Sequence, residues 1–438
     1  MHELRRRLER YFEFEHLNAR WRTELLAGFT TFVTMAYIIF VNPSILAETG
    51  MPLAAVTAAT CLSAAAGSLL MGAFARYPIA LAPGMGLNAY FTYAVCKGMG
   101  VPWQTALGAV FISGVIFLLL TGAGIRQLIL EAIPKELYAA VAVGIGLFIA
   151  FIGFRNSGIV ATHPSTAVTL GNLRDPNTML ALFGLLLTAG LMARGYPASI
   201  LLGIVITTVV GALTGLVHWS PQPYSPAELT ATLGKLDVAA TLQIGLLEIV
   251  FVFLFVDMFD NIGTLVAVGK RAGLFSEAGK IPRVNRILTC DATATVIGSL
   301  TGTSTVVSYI ESAAGVVAGG RTGIPAIVTG LLFLVALFVA PLVGVIPSAA
   351  TAPALIVVGS LMLAHASEID WHDAQHAIPA FLTITAIPLT FSIANGLAFG
   401  FVSYTLIQLF AGRWRQVNWL VWLLTALFIV RFAYLGQG

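Results

Sequence analysis

The sequence predicts an all-α polytopic membrane protein, and three observations carry that expectation. Of its 438 residues, 58% are hydrophobic and only 10% are charged. A soluble domain carries about 25% charged residues, because its surface must face water. This chain has too few charges to cover a globule of its size. Apolar runs of about twenty residues recur from one end to the other, the length a helix needs to cross the hydrocarbon core. Lipid admits only structures whose backbone groups are satisfied internally, and runs of this length mean helices rather than barrel strands.

The runs fall at 24–47, 52–73, 78–96, 102–123, 137–155, 178–194, 197–217, 241–269, 284–301, 303–318, 323–343, 349–365, 376–393 and 395–411. They make about fourteen transmembrane segments. A last apolar run, 418–435 within the C-terminal segment 412–438, is either a further span or an interfacial helix. Residues 1–23 are basic, with Arg5, Arg6, Arg7, Arg10, Arg20 and Arg22. The run that follows is long enough to span, so this stretch reads as a retained cytoplasmic N-terminus rather than a cleavable signal. With the N-terminus inside and fourteen crossings, the 23 Lys and Arg all fall on the cytoplasmic side except Lys97, Arg155, Arg174, Lys235 and Arg431. The positive-inside rule favours that arrangement in a cell (inner) membrane. It leaves 218–240 as an extracytoplasmic linker between two halves of seven segments, 24–217 and 241–411.

The halves echo each other in order. Val41-Asn42-Pro43-Ser44-Ile45-Leu46 resembles Asp260-Asn261-Ile262-Gly263-Thr264-Leu265, and Ile133-Pro134 resembles Ile346-Pro347. Ala198-Ser199-Ile200-Leu201-Leu202-Gly203 lines up with residues 394–400 after one gap. A repeat of seven spans must invert, so the halves are expected to be inverted repeats. Matching segments in each half also break the helical norm. Residues 78–91 carry Pro78, Pro83, Gly84 and Gly86, and residues 301–311 carry Gly302 and a β-branched run. These are poor helix interiors. The third and tenth segments are therefore expected to be interrupted by short extended stretches, each followed by a half-helix pointing at a midplane cargo site.

Acidic residues sit where lipid should exclude them. The eighth segment places Asp257 and Asp260 mid-helix. Three residues apart is about 4.5 Å along a helix axis and about 60° around it, so they share a face that Asn261 and Thr264 extend. Each acid costs about 2.5–3.5 kcal/mol at the bilayer centre on insertion scales, which points to a role in cargo contact. Glu311 is the third such acid, placed where a helix dipole and free N–H groups would also stabilise a carboxylate. Asn88 holds a comparable place in the first interrupted segment, and its amide can donate and accept. Carboxylates accept hydrogen bonds from ring and exocyclic N–H groups, and an amide matches a lactam or amidine edge. Tyr90, Phe91, Tyr309 and Phe259 offer ring faces nearby, although aromatics in apolar helices are usually packing. A buried carboxylate can exchange a proton near neutral pH, so Asp260, Asp257 and Glu311 are candidates for proton coupling. Cys61, Cys96 and Cys290 are scattered in apolar runs, and the seven histidines form no ligand cluster. No metal, cofactor or nucleic-acid partner is expected.

The segments Phe29-Thr30-Thr31-Phe32-Val33-Thr34-Met35-Ala36-Tyr37-Ile38-Ile39, residues 82–91, residues 255–260 and Ser308-Tyr309-Ile310-Glu311-Ser312-Ala313-Ala314-Gly315 resemble the nucleobase–cation symporter family, also called nucleobase/ascorbate transporters. Within it they are similar to the AzgA-like purine permeases. The resemblance covers nearly the whole chain. It implies fourteen spans in two inverted repeats, a core and a gate domain, strands that pair in the third and tenth segments, and a frequent homodimer. It also implies uptake of adenine, guanine or hypoxanthine with a proton, with purine contacts falling on Asn88, Asp257, Asp260 and Glu311. Asp260-Asn261-Ile262-Gly263 fits the family's eighth-span frame, which ranks Asp260 above Asp257. Ser312 stands where the uracil and xanthine branch commonly has Asn, which favours purines.

A transporter importing purine bases by proton symport is thus the expectation, with membrane lipid and a second copy as partners. An anion transporter or channel of the same inverted-repeat fold is the alternative, and three buried acids oppose it. An intramembrane aspartyl protease would need its two carboxylates on separate elements, so no enzyme is expected.

Overall fold

The computed structural model describes residues 2–124, 132–217, 226–243, 246–272 and 282–434. For a few residues inside helices, Phe259 and Asp260 among them, only the backbone is described. Among the described residues, seven helices are long and apolar enough to cross a membrane, and three shorter apolar helices accompany them.

Helix α1 (His2–Tyr11) is polar and precedes α2 (Trp21–Met35), α3 (Ile38–Leu46) and α4 (Leu53–Leu70). Strand β1 (Leu81–Pro83) leads into α5 (Met85–Ala89), which continues as a wider helical turn over Tyr90–Gly98. Then come α6 (Trp103–Gly122), α7 (Lys135–Asn156), a hairpin of β2 (Val160–His163) and β3 (Ala167–Leu170), α8 (Pro176–Ala193) and α9 (Ser199–Leu213). The second half runs α10 (Leu247–Ala272), α11 (Val284–Thr301), β4 (Val306–Ser308), α12 (Ser312–Val317), α13 (Ile324–Ala336), α14 (Ser348–Met362), α15 (Ala374–Thr390) and α16 (Ile393–Phe410). Helix α17 (Trp419–Tyr434) closes the chain.

Local chemistry sets several of these boundaries. Asp175 accepts from the N–H groups of Asn177 (3.0 Å) and Thr178 (3.1 Å), and Pro176 opens α8 where no N–H is needed. Ser392 caps α16 through the N–H of Asn395 at 3.2 Å. The exposed β2–β3 hairpin was not foreseen; its four-residue strands lie between turn signals at Ser157-Gly158 and Gly171-Asn172.

The helices sort into two packing groups. Helices α2, α3, α4, α6, α10, α11, α12 and α13 pack with one another, and α7, α8, α9, α14, α15 and α16 form a second bundle. Each half of the chain thus gives its first four apolar segments to one bundle and its last three to the other. The bundles meet where α5 lies on α7, α3 on α14 and α9 on α2. Gly86 allows the first of these contacts, since a Cβ there would come within 2.5 Å of the Ile145 side chain.

Helix α17 settles the geometry of the last apolar run. Thr405 and Thr425 share a hydroxyl–hydroxyl bond of 2.7 Å, Phe401 meets Phe428, and Phe399 meets Phe432. These pairs step in opposite directions along the two helices. The helix therefore runs antiparallel along α16, back to the level at which α16 begins.

Candidate functional site

The centre of the first bundle is a two-stranded pairing between halves. β1 and β4 are antiparallel, with Leu81 opposite Ser308, Ala82 opposite Val307 and Pro83 opposite Val306. Bonds from Gly84 N–H to the Thr305 carbonyl and from Tyr309 N–H to the Ala80 carbonyl, both 2.9 Å, extend the ladder. The strands lie inside the two stretches whose Pro, Gly and β-branched content disfavours helix. Three-residue strands leave backbone groups over, and neighbouring hydroxyls take them up. On one side Ser68 of α4 accepts from the Leu81 N–H (2.9 Å) and donates to its carbonyl (3.1 Å). Thr295 of α11 does the same for Val306, at 3.3 Å and 3.0 Å. Tyr309 donates to the Pro83 carbonyl at 2.6 Å, and Ser312 accepts from the Ala80 N–H at 3.0 Å.

Three of the four residues singled out from the sequence reach this pairing. Asn88 is fully buried on α5, and its carbonyl oxygen accepts from the Ser304 hydroxyl just before β4. Its Nδ2 is buried and has no hydrogen-bond partner among the described residues. Asp257 is 1% exposed on α10, and its Oδ2 lies 3.4 Å from the Thr295 hydroxyl that tethers β4. Glu311 follows β4 and is half-buried. Its side chain does not cap α12. It accepts instead from the Tyr37 hydroxyl at 2.5 Å, at the break between α2 and α3. Asp260 lies on α10 three residues beyond Asp257, and its side chain falls outside the described residues, as does that of Phe259.

Three of the four ring faces have packing or hydrogen-bond partners. Tyr90 and Phe91 are buried against Phe253, with centroids 5.3 and 6.3 Å away, and Tyr309 is held by the Pro83 carbonyl.

Sequence reasoning passed over other buried polar groups. Asp291, fully buried on α11, accepts from Asn261 of α10. It is a further acid inside an apolar segment, and its place at the centre of run 284–301 was the available signal. Asn42 of α3 donates to Thr60 (2.7 Å) and Thr303 (3.0 Å), so it joins α4 to the turn before β4. Tyr37 stood in a quoted motif without a role. Its position beside Glu311 depends on a contact across 274 residues.

The arrangement places the buried amide of Asn88, the buried carboxylate of Asp257 and the hydroxyl-oriented carboxylate of Glu311 around one short strand pair. It can accept N–H groups and donate to a carbonyl or ring nitrogen. Among the described residues, no group of three or more His, Cys, Asp or Glu could hold a metal ion.

The chain is similar to known proteins in sequence and in fold. Residues 22–399 match the Permease family. The guanine/hypoxanthine permease PbuG of Bacillus subtilis is 46% identical over 98% of this chain and 100% of its own length. The adenine permease AdeP of Escherichia coli is 43% identical over 98% of this chain and 96% of its own. The transmembrane domain of the cyanobacterial bicarbonate transporter BicA superposes with a TM-score of 0.61 at 18% identity, covering 87% of this chain and 98% of that one, which shows a shared fold. The chain is a multi-pass membrane protein of the Permease family, a nucleobase/ascorbate transporter of its AzgA-like branch, and not an enzyme.

Proposed function

We propose that the protein imports purine bases (adenine, guanine or hypoxanthine) together with a proton. One observation carries this reading: the strand pair gathers the buried donor Asn88 Nδ2 and the acceptors Asp257 and Glu311. A purine presents N–H groups beside ring nitrogens or a carbonyl on one planar edge, and this set complements such an edge. The relatives named as adenine and guanine/hypoxanthine permeases support the same choice. A sulfate-like anion would meet the carboxylates of Asp257 and Glu311 there.

In this reading Asn88, Asp257, Asp260 and Glu311 contact the base, and one of the three acids carries the proton. Fourteen segments cross in two inverted repeats, with α1 in the cytoplasm of a cell whose inner membrane holds the protein, in bilayer lipid and as a homodimer. The bundle containing the strand pair is the core that carries the cargo, and the other is the gate. The domain limits stay as the sequence placed them, 24–217 and 241–411.

The test is uptake of radiolabelled adenine, guanine, hypoxanthine and uracil into proteoliposomes, with and without an inward proton gradient. Gradient-driven purine uptake that is lost in Asp260→Asn and Glu311→Gln is the expected result. Uptake indifferent to the gradient would remove the proton. No uptake of any base by folded protein, with bicarbonate or chloride flux instead, would replace the cargo with an anion.

A further inference from the structure

Among the described residues, two polar contacts join the bundles, and both lie at one rim. The first centres on Glu48, at the end of the α3 region. Its carboxylate accepts from Tyr93 (2.7 Å) and pairs with Lys97, both from the first bundle. Asn156, the last residue of α7 in the second bundle, donates to the Tyr93 hydroxyl at 3.0 Å and to Glu48 at 3.3 Å. The second centres on Arg431 of α17. Its guanidinium pairs with Glu248 of α10 at 2.6 Å and donates to Asn395 of α16 at 3.0 Å. Arg431 thus ties the first bundle to the second.

The two contacts face the same side. Arg155, next to Asn156, lies 5.7 Å from the ring of Phe391, one residue before the Ser392 cap of α16. Tyr90, one turn before Tyr93, packs on Phe253 of α10. Ends of α3, α7, α10, α16 and α17 therefore meet there. An ion pair elsewhere stays within a bundle, as His376 of α15 with Glu136 of α7 does at 3.6 Å. Both side chains of the Arg431–Glu248 pair are only 16–17% exposed. A charge pair held that far from water is maintained by its partner, and separating it is costly.

We propose that Arg431–Glu248 and Glu48–Tyr93–Asn156 form a two-point latch that holds the bundles shut at this rim and releases when the cargo site opens there. The latch rests on the transport reading above, in which one bundle moves against the other. By the Lys and Arg distribution the rim is extracytoplasmic. The last helix is then a working part of the gate rather than an appendage.

The experiment uses the full chain in proteoliposomes, with Cys61, Cys96 and Cys290 changed to alanine and Val250→Cys as reporter. Val250 is 4% exposed and two residues from Glu248. The read-out is its labelling rate with a membrane-impermeant maleimide. Neutralising both partners, Glu248→Gln with Arg431→Gln, avoids a lone buried charge and should speed labelling about fivefold, an ordinary coupling between two states. The exchanged pair, Glu248→Arg with Arg431→Glu, should return it towards the parent rate. Labelling at the parent rate in the folded neutral variant would overturn the latch. If that variant does not fold, Asn156→Ala tests the other point: faster labelling supports the latch and an unchanged rate overturns it. Labelling needs no cargo, so faster labelling in a protein that takes up no purine would sink the purine assignment and keep the latch.

Discussion

In the first strand-bearing segment a serine, Ser68, holds both backbone groups of Leu81; in the second a threonine, Thr295, does the same for Val306. Each hydroxyl comes from the helix just before its strand, so the two halves repeat one solution to the same shortage of backbone partners. The side chains around that shared scaffold differ. The first half supplies amides, Asn42 and Asn88, which bond across to Thr303 and Ser304 of the second half. The second half supplies the acids Asp257, Asp291 and Glu311. Where Asn42 meets Thr60 between α3 and α4, Asn261 meets Asp291 between α10 and α11. The same tether is thus made in both halves, and among the described residues around the strand pair the acids come from the second half. In the proposed function, a cargo held between these unlike halves has one orientation, whereas two like halves would offer two.

The comparison is broken most directly at its charged end. Hydrogen bonds to charged groups are worth about 1.5–3 kcal/mol and neutral ones about 0.5–1.5 kcal/mol. Glu311→Gln should therefore lower initial purine uptake about a hundredfold, and Asn88→Ala about tenfold, both read as kcat/KM in proteoliposomes. Equal losses would mean that the halves share the cargo evenly and that the charge asymmetry is incidental.

Next in size are the tethers. Ser68→Ala and Thr295→Val each leave a strand N–H and carbonyl without their hydroxyl, at a cost of about 1–3 kcal/mol in stability. Both should lower the thermal midpoint in detergent. Only Thr295→Val should also depress uptake in protein that remains folded, because Thr295 is bonded to Asp257 as well. Uptake lost equally in Ser68→Ala would show that the strand pair itself, rather than its acid, is the sensitive part.

The legible part of this architecture was whatever lipid makes costly. Asp257 and Glu311 stood out because an acid in an apolar run demands a reason, and the strand-bearing stretches stood out because proline and glycine oppose helix there. Asp291 was passed over because α11 also carries Thr289, Thr293 and Thr295, whose hydroxyls make the run read as mildly polar throughout. Ser68 gave no signal at all. A serine in a helix can bond its own backbone, and only the fold shows it bonding Leu81 instead. Tyr37 and Ser304 lie far along the chain from the residues they hold, and pattern along one segment carries no information about such pairs. The Arg431–Glu248 pair is of the same kind, joining the last helix to the eighth apolar segment.

The smallest effect separates two tyrosines near the strands. Tyr309 spends its hydroxyl on the Pro83 carbonyl, which binds the second segment to the first. Tyr90 is as deeply buried, and its hydroxyl has no hydrogen-bond partner among the described residues. Removing a hydroxyl from a made bond costs about 1 kcal/mol and leaves an acceptor stranded, whereas removing an unsatisfied one relieves a desolvation penalty. Tyr309→Phe should therefore lower the thermal midpoint, and Tyr90→Phe should leave it unchanged or raise it. The phenyl ring kept in both variants preserves packing, including the contact of residue 90 with Phe253. A matched loss in the two would mean that the Tyr90 hydroxyl is engaged in the membrane, and the first segment would then be as firmly tied as the second.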